Sequence, residues 1–326
     1  MAALRSFDDK HARLRELSGE TPERARAELP RFLGDKSGFL VGEAADIAKQ
    51  HELRGLGPEL VAAFMRLIAA EPKADPACTG KCRIVEALLA MDLNEPDVFL
   101  AGLKHVQIEG AYPLPVDTAG PLRGLCAHAL IQVHHRQALL SVTPLLFDPD
   151  QVTRAEAAAA LGDSGQEGAA AVLHAKLLGG EGKADVLGAI YKALLRLFPE
   201  RYLPVVKEAL LGSVEVDGAV EAAALALGES RVEGALSALR EGVSIHSRGR
   251  EAEAVLLGIA LLRTDAANAC LLERVESAPE AAAGMALSAL ALHRHDAGLV
   301  ARARAVVLAR KSKKLAALFA ERFERE

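Results

Sequence analysis

The chain has 326 residues, 51% of them hydrophobic and 25% charged, with a formal net charge of −5, enough apolar matter for a large core under a wet surface. Acids at Asp8 and Asp9 interrupt the start and no apolar run reaches ~18 residues, so neither a secretory leader nor a membrane span is expected. With aromatics at 4% and only four cysteines, the core must consist of closely approaching Ala- and Leu-rich helices in a reducing, cytoplasmic setting rather than a disulfide framework.

Residues 1–20 are expected to cap a helical-repeat array over 21–295. Ile47 is its first landmark, and "EPKADPACTGK" at 71–81 is an irregular connection. An Ala-Leu pair then recurs at Ala87-Leu88, Ala129-Leu130, Ala160-Leu161, Ala193-Leu194, Ala226-Leu227, Ala260-Leu261 and Ala291-Leu292. Successive leucines are 42, 31, 33, 33, 34 and 31 residues apart, a near-constant step that marks stacked supersecondary units. The long first step is explained by an insertion at 109–124, "EGAYPLPVDTAGPLRG", with three prolines and three glycines.

Each period holds two helices. In the most regular unit, Pro149 and Asp150 lead into a helix over about 150–162 that is expected to close at Gly162 in a left-handed turn. A second helix starts at Gly165-Gln166 and ends at Gly179-Gly180, and Ala155, Ala158 and Ala159 form a small face for close packing. The short link "GDSGQ" makes the two antiparallel, and neither buries its apolar face without stacked neighbours. No strand is expected. Residues 296–326 are read as basic capping helices, and 1–326 as one continuous domain.

The stretch "TRAEAAAALGDSGQEGAAAVLHAKL" resembles the HEAT-like repeat of the bilin-lyase type, roughly V-R-x-x-A-A-x-A-L-G-x-x-x-D-x-x-A. Arg154, Ala157, Ala158, Ala160, Leu161 and Gly162 match, while Thr153 stands in place of Val. "GAVEAAALALGESRVEGALSAL" at 218–239 matches with Val220 in place of Arg, and His293 replaces the Gly in the unit around Ala291-Leu292. The resemblance covers 125–295 well and 20–110 by spacing. It implies an all-α fold, a right-handed α-α superhelix (HEAT-like solenoid) of about eight helix pairs, with helices such as 150–162 lining the concave side. The motif records packing, so it carries no activity by itself.

Di-iron hydroxylases of this superfamily repeat a His-Glu pair, and here there is only His51-Glu52. Bilin-lyase-like or metal-dependent activity has no constellation to carry over. Cys78, Cys82, Cys126 and His128 are the residues a zinc ion would use, but Cys126 and His128 project about 200° apart on one helix, which argues against shared ligation. His293 and His295 suit the negative end of a helix. No catalytic group and no cofactor is expected.

Charge is uneven: Arg294–Glu326 holds nine Lys/Arg against four Asp/Glu, leaving −10 for the remainder. Arg302, Arg304, Arg310, Lys311, Lys313 and Lys314 face an apolar set of Val306, Val307, Leu308, Leu315, Leu318 and Phe319, as an outer cap would. The expected role is a non-catalytic scaffold or adaptor for a protein or peptide, with the Ala/Arg/Gly/Leu bias pointing to a bacterial source. Contact residues are expected at Tyr112, Pro113, Leu114 and Pro115 on the insertion, at Arg154, and at Arg310, Lys311, Lys313 and Lys314. Nucleic-acid binding through the basic end is the alternative, opposed by the acidic balance of the rest.

Overall fold

The computed structural model describes residues 6–110 and 114–324 and is all-α apart from one minimal hairpin. The chain forms two compact units, Met1–Ser164 and Gly165–Glu326, and the seam between them falls inside the most regular repeat.

The first unit contains α1 (Phe7–Ser18), α2 (Pro22–Leu33), α3 (Gly38–Gln50), α4 (Gly57–Ile68), α5 (Thr79–Ala90) and α6 (Pro96–Leu103). Next come the strands β1 (Ile108–Glu109) and β2 (Val116–Asp117), then α7 (Gly120–Gln132), α8 (Ala138–Val142) and α9 (Gln151–Asp163). The second unit contains α10 (Glu167–Leu178), α11 (Ala184–Leu197), α12 (Pro199–Leu210), α13 (Ala219–Ser230) and α14 (Ala235–Ile245). It continues with α15 (Gly249–Leu261), α16 (Asp265–Ser277), α17 (Glu280–Leu290), α18 (Ala297–Arg310) and α19 (Lys313–Phe323). Residues 21–295 hold α2 to α17, the number of helices that eight pairs require, and the segments read as caps are helical too.

Helix starts are specified locally. Ser6 and Asp9 form a reciprocal capping box on α1, and Asp150, Thr264, Asp296 and Ser312 each accept a backbone N–H in the first turn of the helix that follows. Prolines at the first turns of α2, α4, α6, α7 and α12 sit where a missing N–H costs nothing.

Within each unit the helices form two layers. In the first unit α1, α3, α5, α7 and α9 stack in turn, as do α2, α4, α6 and α8; in the second, α11, α13, α15, α17 and α19 do the same. The odd-numbered layer is held close by its small residues. The backbone of α3 at Gly38 lies so near Gly80 of α5 that a Cβ on either glycine would meet a neighbour inside van der Waals contact, and Gly228 of α13 meets Gly258 of α15 in the same way. Leucines such as Leu88, Leu130, Leu161, Leu227 and Leu287 are fully buried between the layers. Each such burial stabilises the fold by roughly 1.5–3 kcal/mol.

Two expectations about glycine and alanine are corrected. Gly162 lies within α9 and is buried among its packing residues; the left-handed turn is made by Gly165, at φ +66°. Gly228, which likewise follows an Ala-Leu pair, lies inside α13 and serves close helix approach there instead of helix closure. The buried face of α9 is Thr153, Ala157, Ala158, Ala160 and Leu161, whereas Ala155 and Ala159 stay half-exposed. The absence of strands is also corrected, because β1 and β2 pair antiparallel with Ile108 opposite Asp117 and Glu109 opposite Val116.

Helix C-termini are closed from the following repeat. Arg66 donates to the Leu33 carbonyl that ends α2. His246 Nε2 donates to Leu210 O of α12 at 2.8 Å, His293 Nε2 to Ala260 O of α15 at 2.9 Å, and Arg310 to Glu276 O of α16 at 2.5 Å. Each places a donor against a carbonyl at the negative end of a helix. His293 thus caps a neighbouring helix instead of its own.

Candidate functional site

A polar ladder in the first unit is built from acids and bases six residues apart in sequence: Asp75 and Lys81, Asp117 and Arg123, Asp148 and Arg154. Each acid precedes the Leu of its Ala-Leu pair by thirteen residues, so all three occupy one register at the starts of α5, α7 and α9. Lys81 Nζ lies 3.0 Å from Asp75 Oδ2 and donates to Gln107 Oε1 at 2.9 Å. The Asp75 carboxylate also accepts the Gly80 and Lys81 N–H groups at 2.7 and 3.1 Å. Arg123 bridges two rungs, donating to Asp117 Oδ2 at 2.7 Å, to Asp148 Oδ1 at 3.0 Å and to the His105 carbonyl at 2.9 Å. Arg154 donates to the Asp148 and Pro149 carbonyls at 2.9 and 3.1 Å.

The insertion is the joint between the first two rungs. Gln107 donates Nε2–H to Asp75 O and to Glu109 Oε1, and Glu109 Oε1 also accepts the Ala77 N–H and the Thr118 hydroxyl, at 2.7 and 2.6 Å. Those bonds, led by Thr118 and Gln107, hold the Glu109 carboxyl below its ordinary range. Burial alone would raise the Asp117 carboxyl; the N–H groups of Gln107 and Ala119 and the Arg123 guanidinium outweigh it and bring it down. Asp150 behaves likewise, with burial opposed by the N–H and hydroxyl of Thr153. The ladder is a satisfied structural network and not a reactive centre, since its charged atoms already have partners.

Beside the ladder lies a cleft of about 810 Å³, within the range of ligand-binding pockets. Its walls come from the start of α1 (Phe7, Lys10), the α2–α3 turn and the start of α3 (Asp35, Lys36, Phe39), the end of α4 (Arg66, Ala70) and the loop 71–76. Phe7 and Phe39 are 49% and 39% exposed, with ring centroids 5.8 Å apart and the His11 ring against both. The Arg83 guanidinium lies over Phe39, 5.9 Å from its centroid. Lys10 pairs with Asp35 at 2.6 Å and Lys73 with Glu71 at 2.6 Å, while Arg66 is engaged with the Leu33 and Asp35 carbonyls. Burial pushes the Asp35 carboxyl up, and Lys10 with the Ser37 N–H more than offset that.

The loop wall is stiffened by the ladder. Ala77 and Cys78 both sit in the left-handed region, at φ 53° and 54°, a strained pair for side-chain-bearing residues. Glu109 on the Ala77 N–H, and Asp75 O on the Cys78 N–H at 3.1 Å, hold them there. A second hollow of about 420 Å³ continues past the same loop between Glu71, Pro72, Lys73, Ile108, Glu109 and Gly110. Val106 and Ile108 just before the insertion, and Leu114 and Val116 on it, are exposed.

The residues expected from sequence fare unevenly. Leu114 and Pro115 are exposed on the insertion, while Tyr112 and Pro113 lie outside the described residues. Arg154 is a ladder rung turned to its own loop. Arg310 closes α16 and Lys314 pairs with Glu280 at 3.1 Å; Lys311 ends α18 in a left-handed turn, and Lys311 and Lys313 are exposed. The zinc candidates are not gathered: His128 meets Glu156 at 3.0 Å, while Cys126 is buried against Gly102. Burial pushes the Cys78 and Cys82 thiols up to about 11 and about 12, and Cys126 upward as well, so these sulfurs are protonated at neutral pH. Among the described residues no three His, Cys, Asp or Glu side chains converge as a metal ion would need, and no helix is long and apolar enough to cross a membrane.

No protein-family model matches this chain, and no curated protein matches it.

Proposed function

We propose that this chain is a HEAT-like repeat adaptor, non-catalytic, that binds a protein or peptide. The observation that carries the reading is the cleft of the first unit, where two exposed phenylalanines are set among cations on walls braced from behind by a buried charge network. Exposed aromatics in a concave, pre-organised setting are the usual anchors of protein recognition. The stacking of consecutive helices, the glycine contacts between them and the constant register of the acid–base rungs support the HEAT-like assignment. The recognition surface in this proposal is the helix-end edge formed by α1, α3 and α4, with the insertion beside it, in place of the surface of the odd-numbered layer.

The test is capture with a photo-crosslinking amino acid at Phe39, compared with the same label at Leu257 in the second unit, using lysate from the source organism. A discrete crosslinked protein at position 39 and none at 257 supports the reading. Equal labelling at both, or none at either, contradicts it.

A further inference from the structure

We infer that the cleft accepts an acidic polypeptide segment anchored by one bulky apolar side chain; this rests on the adaptor reading and deepens it. Its lining carries Lys10, Lys36, Arg66 and Lys73 against Asp35 and Glu71, a local balance of +2 on a chain whose total is −5. Two of the four cations are matched by the two acids, and Arg66 is committed to carbonyls. Lys36 is exposed and has no ion pair among the described residues, so an entering carboxylate meets an unspent positive charge at the rim. Charge complementarity of this kind steers and orients a partner.

The floor supplies the second half of the selectivity. Leu40, Leu67, Ala70 and Pro76 line the cleft together with Phe7 and Phe39, whose exposed ring surface can pack on an aromatic or aliphatic side chain. An extended segment fits better than a compact anion because the hollow past Glu71 and Lys73 prolongs the path toward Ile108 and Gly110. The strained Ala77–Cys78 turn, pinned by Asp75 and Glu109, keeps the wall between the two hollows in place before anything binds.

The experiment is an array of decapeptides with acidic or basic flanks around every central residue, probed with labelled wild-type protein, followed by fluorescence anisotropy of the best acidic peptide in solution. Acidic flanks around Phe, Tyr, Trp, Leu or Met should dominate. The Lys36→Glu/Lys73→Glu variant, altered only at exposed positions, should weaken binding by about tenfold or more, as should raised salt. Phe39→Ala should weaken it without removing the salt dependence. Preference for basic flanks, or variants that bind like wild type, overturns the proposal. If light scattering instead finds a dimer that the charge-reversed variant abolishes, the occupant is a second copy and the proposal falls. A partner crosslinked at Phe39 but bound equally by the charge-reversed variant leaves the adaptor reading standing and removes this one. Acidic-peptide binding without any crosslinked protein does the reverse.

Discussion

The ammonium of Lys81 lies 3.0 Å from the carboxylate of Asp75, and the two side chains are 1% and 2% exposed. A buried pair of this kind is costly to break from one side, because the remaining charge keeps its desolvation penalty. Lys81→Met should therefore destabilise the protein by about 3–5 kcal/mol in urea unfolding. Asp75→Asn with Lys81→Met should recover part of that loss, since an amide oxygen can still accept the Gly80 N–H without leaving a bare charge. Additive losses in the double variant would mean that the two side chains act independently.

Close helix approach makes a second prediction. A methyl group on Gly258 would run into the Ala224 carbonyl and the Leu239 side chain, so Gly258→Ala should cost ~1–3 kcal/mol. Gly182, with open space around its Cα, is the control, and Gly182→Ala should stay within about 0.5 kcal/mol of wild type. Thermal or urea unfolding that ranks the two the other way would refute the packing assigned to the odd-numbered layer.

Acid should act on the ladder. Glu109, Asp117 and Asp150 are held below their ordinary values of 4.5, 3.8 and 3.8, so the unfolded chain binds more protons than the folded one near and below those values. The stability they contribute is complete above about pH 5 and is lost as pH falls through that range. Asp117→Asn should lower stability at neutral pH by about 2 kcal/mol, the scale of hydrogen bonds to a charged group, with the gap to wild type closing toward pH 3. A pH-independent gap would show that the Asp117 carboxylate contributes through packing and not through charge.

The cysteines should be slow to react. With their thiols raised to about 11 and about 12 by burial, Cys78 and Cys82 should resist a disulfide reagent in the folded protein at neutral pH, and Cys126 should react only on unfolding. Half-exposed Cys270 should be modified first. Fast labelling of Cys78 by mass spectrometry would contradict its buried position at the start of α5.

The basic end should not hold nucleic acid. Arg310 is engaged with Glu276 O, Lys314 and Ser312 with Glu280, and Arg304 with Glu324, so part of the basic charge is already matched, and the acidic balance of the remaining chain opposes phosphates. A labelled duplex at low salt should show no saturable binding; binding lost by Lys311→Ala/Lys313→Ala would reverse that conclusion.

Much of the architecture is legible in the chain because packing repeats and chemistry does not. The Ala-Leu step falls inside α5, α7, α9, α11, α13 and α15, where the leucine is buried in all but the last, whereas Ala291-Leu292 lies in the short 3-10 turn after α17 with Leu292 exposed. A helix-closing glycine and a glycine buried inside a helix look alike in sequence; only the backbone of Gly162, helical, and Gly165, left-handed, separates them. The ladder has a usable signal, an acid six residues before a base at 75/81, 117/123 and 148/154, always at the same distance from the Ala-Leu pair. It is easily missed in a chain with 44 acids and 39 bases. The cleft has almost none: Phe7, Lys36, Phe39, Arg66 and Lys73 share no periodicity and meet only after four helices have packed. Its one trace is that Phe7 and Phe39, two of nine phenylalanines, begin helices instead of falling on their buried stripes.

The most direct test of the binding claim is hydrogen–deuterium exchange of the whole chain, alone and with the best acidic peptide bound. Exchange should slow at the start of α1, across residues 35–40 and across 66–77, with the second unit unchanged. Protection confined to the second unit or to the insertion, with none at Phe39 and its neighbours, would contradict it.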